Sequence, residues 1–139
     1  MLCCAKPSNI ERQTIVLHTE GAWRLPEPEQ PEVLLAQWIS AYHYGLTRPL
    51  PLFAKTGRAY AAAAIKDPDE LHKAATAARA LWFSGFRNAG EGEKHSNRYV
   101  YRSHLPIEDE DFRYWSTLLL GPMLENAQDV KIEELGGLS

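Results

Sequence analysis

The sequence has little of what marks secreted or membrane proteins. Only two of its 139 residues are cysteines, and they are adjacent, Cys3 and Cys4. Neighbouring Cα atoms lie ~3.8 Å apart, below the ~4.4 Å lower end for ordinary disulfides, so two reduced thiols are expected. No apolar run approaches the ~20 residues of a membrane span, and residues 1–7 lack the features of a signal peptide. These absences predict a cytoplasmic protein without a membrane partner.

Catalytic and metal-binding motifs are also lacking. The five histidines show no HxxxH or HxH spacing, no Cys/His pattern indicates zinc, and no serine lies in a Gly-x-Ser-x-Gly turn. The stretch from Gly90 to Lys94 superficially resembles a phosphate-binding loop, but its two glutamates and the lack of a following Gly-Lys-Ser/Thr argue against that function. It is predicted to be a solvated turn. The residues themselves therefore indicate no catalytic site, no metal site and no cofactor in this chain.

One string leaves an enzymatic alternative open. A Pro-Asp pair followed by Asp/Glu-x-Lys is typical of a nuclease superfamily whose carboxylates hold Mg²⁺. Here Pro68-Asp69 is followed by such a triplet only at Asp129–Lys131, in the weakly patterned tail 126–139. The alternative is a small free-standing Mg²⁺-dependent nuclease that uses Asp69, Glu70 and Lys73. Helix capping explains the same string locally, and it is the preferred interpretation.

The patterning predicts an α+β chain that is mostly helical. Residues 13–18 are rich in β-branched side chains, and 22–25 alternate as a return strand would after the turn at 19–21. Proline at 26, 28 and 31 ends the pairing. An antiparallel β pair is therefore expected, followed by about four helices. Residues 87–97 are predicted to be a polar loop, and 98–102 a strand or an extended connector.

Apolar residues at helical spacing place those helices. The first carries one apolar face, formed by Leu35, Trp38, Ile39, Tyr42 and Leu46. A second is predicted to be capped by Thr56 and to run through the alanines at 61–64. The third starts with Asp67 as N-cap, Pro68 at the first helical position and Glu70 at the third. Its inward residues are Leu71, Ala74, Ala75, Ala78, Leu81 and Trp82. The last, led by acidic residues 108–111, buries Phe112, Trp115, Leu118 and Leu119 until Gly121-Pro122.

Charge is unevenly distributed along the chain. Residues 48–106 hold ten basic and five acidic side chains, a local +5, so the flanks total −8 and the whole chain −3. Aromatic residues are interleaved with these bases. Such a segment suits nucleic acid, because Lys and Arg neutralise phosphates and aromatic rings stack on bases. An ordinary solvated surface, or a patch that faces an acidic protein, remains the alternative.

Residues 34–56 carry a family resemblance. They hold a helix ending in Tyr42-x-x-Gly45-Leu46, then Pro49-Leu50-Pro51-Leu52-Phe53 and a short basic/hydroxyl turn. This segment strongly resembles the C-terminal domain of the exodeoxyribonuclease V gamma subunit, RecC. Weaker similarities follow in three segments up to about residue 126: residues 80–85, residues 90–99 and residues 120–124.

The resemblance implies a specific fold and function. It implies the back part of a degenerate restriction-endonuclease-like domain that lacks metal-binding carboxylates, with residues 1–139 forming a fragment of a larger domain. It also implies a non-catalytic module of a helicase–nuclease that acts in double-strand-break repair and recombination. The beta and alpha subunits would be its partners, together with DNA, and those subunits would use the ATP and Mg²⁺.

The candidate contact residues for DNA or partner subunits are basic side chains of the middle segment. They are Arg48, Lys55, Arg58, Arg87, Lys94, Arg98 and Arg102. Besides the nuclease alternative, a module that docks proteins without touching DNA is left open.

Overall fold

The computed structural model describes residues 13–18, 21–83, 85 and 89–131. Cys3, Cys4 and Arg87 lie outside the described residues. The predicted α+β, mostly helical fold with an N-terminal strand pair is confirmed. Its elements are β1 (Gln13–His18), β2 (Gly21–Pro26), α1 (Pro31–Thr47), α2 (Ala54–Lys66), α3 (Leu71–Trp82), α4 (His95–Val100), α5 (Glu110–Asn126) and β3 (Gln128–Val130), with 3-10 helices at Glu91–Glu93 and Pro106–Glu108.

The sheet contains one strand more than predicted. β1 and β2 pair antiparallel with Val16 opposite Trp23, which confirms the predicted hairpin. β3 adds to the other edge of β2, with Trp23 opposite Asp129, so the strand order is β1-β2-β3. Residues 128–130, which lie in the weakly patterned tail, form this third strand. Three residues are too few to show a period, and their pairing is supplied by an edge formed a hundred residues earlier.

The main core is an aromatic and alanine cluster between α2, α3 and α5. Phe53 lies at its centre, with its ring centroid 4.7 Å from that of Trp82, 5.6 Å from Tyr101 and 6.0 Å from Phe112. Phe112 is fully buried and also contacts Tyr60, at 5.4 Å between centroids. The cluster comprises Phe53, Tyr60, Ala64, Ala74, Ala78, Trp82, Ile107 and Phe112.

Helices α2 and α3 begin at residues other than those predicted. The N-cap of α2 is Phe53, so Thr56 is the third helical residue and does not cap the helix. The N-cap of α3 is Glu70, which makes no side-chain capping bond. Residues 67–70 form a turn, in which the Glu70 N–H donates to the Asp67 carbonyl over 3.0 Å. Pro68 suits that turn as well as a first helical position, and this ambiguity caused the wrong boundary.

Two further predictions were wrong beyond residue 85. Residues 95–100 form the short helix α4, although 98–102 alternate as a strand or connector would. The amide of Asn97 donates to the Glu91 carbonyl over 2.8 Å, which joins the first turn of α4 to the preceding 3-10 helix. α5 does not stop at Pro122 but continues to Asn126 with that proline inside it. Of the residues predicted to be buried there, Phe112, Trp115 and Leu119 are buried and Leu118 is half-buried.

The apolar faces of α1 and α3 are more exposed than expected. In α3, Ala74, Ala78 and Trp82 are buried, but Leu71 and Leu81 are exposed. In α1, all five residues of the predicted apolar face are exposed, and Ala41 is the one buried residue. An amphipathic helix ordinarily turns its apolar face to the core, and α1 does not. Within the described ranges, no helix is long and apolar enough to cross a membrane.

Candidate functional surface

The carboxylate of Glu91 caps helix α2 from outside that helix. Its Oε2 accepts hydrogen bonds from the backbone N–H of Thr56 over 2.8 Å and of Lys55 over 3.1 Å. These are the second and third residues of α2, whose N–H groups have no partner within the helix. A side-chain acceptor at this position satisfies them and also complements the positive end of the helix dipole. Glu91 thus fixes the Glu91–Glu93 turn to the start of α2.

Ionisation of Glu91 is favoured despite its burial. The side chain is almost completely buried, which by itself raises the pKa of a carboxyl group. Hydrogen bonding from Thr56 and the nearby Lys94 ammonium outweigh that effect. The pKa of Glu91 therefore lies below its ordinary value, and the carboxylate is charged at neutral pH.

The segment around Glu91 fits closely against its neighbours. An added Cβ at Gly92 would lie 2.5 Å from Cε2 of Trp82, so the indole leaves room for glycine alone. Gly90 is buried as well. The interpretation of residues 90–94 as a solvated turn was wrong. Sequence reasoning missed Glu91 because its hydrogen-bond partners lie 35 and 36 residues away, and no local pattern reports such a contact.

Glu91 brings two of the candidate basic residues together. Lys94 Nζ lies 3.4 Å from Glu91 Oε1, while the backbone of Lys55 binds the same carboxylate. Arg58 follows Lys55 by one turn of α2, and Arg98 follows Lys94 by about one turn on α4. All four side chains are exposed. We call Lys55, Arg58, Lys94 and Arg98 the basic cluster.

The remaining candidate residues are not joined to the basic cluster by any contact described. Arg48 ends α1 and places its guanidinium 4.7 Å from the centroid of the Tyr44 ring. Arg102 is exposed in the turn after α4, and Arg87 lies outside the described residues. Within the cluster, Arg58 also stacks on Trp23 of β2 at 4.4 Å, which ties α2 to the sheet.

Two residues of the nuclease alternative, Glu70 and Lys73, form an exposed ion pair, and Asp69 is exposed in the turn before α3. Lys73 Nζ lies 2.7 Å from Glu70 Oε2 and 3.7 Å from Asp67 Oδ2, in and after the turn that precedes α3. Asp129 lies on a different element, β3, opposite Trp23. Within the ranges that the structure describes, no group of three or more His, Cys, Asp or Glu residues is placed to hold a metal ion.

Fold and surface together define a mostly helical α+β module with exposed basic residues on the two segments that the buried Glu91 carboxylate joins. Residues 1–65 match the family model of the RecC C-terminal domain. The match covers β1, β2, α1 and nearly all of α2. Among curated proteins, none matches the chain. Residues 1–65 are therefore similar to the RecC C-terminal domain, and the resemblance predicted from residues 34–56 is confirmed. This supports a RecC-related module of an exodeoxyribonuclease V complex.

Proposed function

We propose that this chain is a non-catalytic module of the gamma subunit of an exodeoxyribonuclease V complex. In this function it guides DNA strands and docks the beta and alpha subunits during double-strand-break repair and recombination in the cytoplasm. ATP hydrolysis and Mg²⁺-dependent cleavage belong to those partner subunits. The match of residues 1–65 supports the assignment to this kind of complex.

The basic cluster is the observation that carries the DNA-guiding part. Lys55 and Arg58 lie on α2, Lys94 precedes α4 and Arg98 lies on it, and Glu91 joins the start of α2 to the turn that leads into α4. Exposed Lys and Arg side chains bind DNA mainly by neutralising phosphates and releasing counterions. Such contacts are independent of base sequence, as strand guidance requires, because the strand must move past the module.

The salt dependence of DNA binding tests this proposal. In the complex reconstituted with the beta and alpha subunits, we would replace Lys55, Arg58 and Lys94 with alanine together. Each lost phosphate contact should reduce the slope of log Kobs against log salt concentration by about 0.7–0.9. The matched control replaces Lys66, Lys73 and Arg79, three exposed bases of α2 and α3 outside the cluster. That control should leave the slope unchanged.

The same experiment separates the alternatives. If the cluster variant binds DNA with the affinity and slope of the wild type, the DNA-guiding part fails and docking without DNA contact remains. For the nuclease alternative, the isolated chain is incubated with linear DNA and Mg²⁺. Cleavage that disappears in Asp69→Ala would establish an enzyme and overturn the non-catalytic assignment.

A further inference from the structure

Helix α1 exposes an apolar stripe formed by Leu35, Trp38, Ile39, Tyr42 and Leu46. Their exposed fractions are 43%, 44%, 47%, 65% and 64%, large values for side chains of this size. Leu35, Ile39, Tyr42 and Leu46 follow one another at spacings of four, three and four residues. That spacing places them in one line along the helix, as in helices that insert into a groove of a partner protein.

The helix is attached to the rest of the protein along a narrow strip opposite the stripe. Ala41 is buried against Trp115 and Leu119 of α5. The Tyr44 ring packs edge-on against Trp115 at 5.3 Å, and its hydroxyl donates to Asp111. At 3.6 residues per turn, the exposed residues of α1 extend around roughly two thirds of the circumference of the helix.

The lack of charged residues on most of α1 indicates what kind of surface covers the stripe. From Val33 to Thr47 the helix has no Asp, Glu, Lys or Arg, although most of these residues are exposed. A helix that faces water normally carries charged residues on its outer side. DNA would require cations, and an acidic or basic protein surface would require the opposite charge. The complementary surface is therefore uncharged and apolar.

The surface area that would be buried on α1 favours a groove on a partner protein over a second copy of this chain. Two stripes facing each other would bury roughly 500 Å² per copy, taking about 100 Å² for each half-exposed large side chain. A standard stable interface buries about 800 Å² per partner. A groove reaches that size because it also covers the uncharged positions that flank the stripe, Ala36 and His43.

We infer that α1 inserts its apolar stripe into an uncharged hydrophobic groove on a partner subunit of the complex. The inference rests on the proposed function, which supplies the beta and alpha subunits as partners. It assigns docking to α1 and DNA contact to the basic cluster, so that the two activities use separate surfaces of the module.

Equilibrium binding of the chain to the purified beta and alpha subunits tests the inference. Ile39→Lys and Tyr42→Lys each place a charge in the stripe, and both should weaken binding at least tenfold. Ser40→Lys adds the same charge to an exposed position of the same helix, farther round from the stripe and outside the groove, and should change affinity less than twofold. Thermal unfolding of all three variants should match the wild type, since none of these side chains is buried.

The outcomes distinguish this inference from the proposed function. If the wild type binds the subunits and both stripe variants bind equally well, the inference fails and the proposed function stands. If the wild type binds neither the subunits nor DNA in their presence, both fail. Light scattering on the chain alone covers the remaining case: a wild-type dimer that Tyr42→Lys converts to monomers would assign the stripe to a second copy and overturn the groove.

Discussion

Helix α1 buries one of its 17 residues, whereas α2 buries five of its 13. Yet α1 carries more of the large apolar side chains, and six of the 13 residues of α2 are alanine. Hydrophobicity along the chain therefore does not rank these helices by burial. Side-chain size at the contact matters more, because small residues let neighbouring helices approach closely.

The packing of α2 shows this effect directly. Ala61 of α2 and Ala74 and Ala78 of α3 are fully buried. Against α5, an added Cβ at Gly57 would lie 3.0 Å from Ser116 Oγ, so the two helices approach closely at this glycine. α1 offers α5 only Ala41 as a small buried residue. Helix α2 therefore builds the core of the module, whereas α1 presents a surface.

The largest expected effect lies in the core that α2 helps to form. Phe112→Ala should lower the free energy of unfolding by about 3–5 kcal/mol, because it opens a cavity beside Phe53 and Tyr60. The counterpart on α1 is Tyr42→Ala, which removes an exposed ring and should change stability by less than about 0.5 kcal/mol. Urea unfolding of both variants checks the contrast. Equal losses would show that α1 is part of the core.

A smaller effect is expected where the Glu91 turn meets α3. Gly92→Ala forces a methyl group against the Trp82 indole and should destabilise the protein by about 1–3 kcal/mol. Gly85→Ala is the matched control, since an added Cβ there has no atom within 4 Å. Thermal unfolding should separate the two variants. Equal melting temperatures would mean that the turn does not pack on the indole.

The smallest effect concerns the cap of α2. Glu91→Gln keeps an acceptor but removes the charge, and should cost about 1–2 kcal/mol at neutral pH. Because the pKa of Glu91 is lower in the folded than in the unfolded protein, its stabilisation is complete above the ordinary pKa of 4.5. It is lost as pH falls through the lower folded value.

The pH dependence of unfolding checks this sign. Between about pH 5 and pH 3, the wild type should lose stability more steeply than Glu91→Gln, measured by urea unfolding at each pH. Glu125→Gln removes an exposed carboxylate on α5 and should follow the wild-type profile. Identical profiles for wild type and Glu91→Gln would show that the carboxylate does not cap α2 in its charged form.

Local pattern located most of the secondary structure. β-branched residues placed β1, the turn and return strand placed β2, and helical spacing placed α1, α2, α3 and α5. It failed at residues 67–70, where proline and carboxylates suit both a turn and a helix start. It failed again at α4, where six residues are too few for a period to show.

Local sequence pattern is sufficient for the α+β class, the order of the main elements and the basic middle segment, and residues 1–65 are similar to the RecC C-terminal domain. Tertiary structure alone decided which side of α1 faces the core, that Glu91 caps α2, and that Lys55 and Lys94 meet at that carboxylate. A period of 3.6 residues reports that one helical face is apolar, but what covers that face, or what anion reaches a helix end, depends on segments distant in sequence.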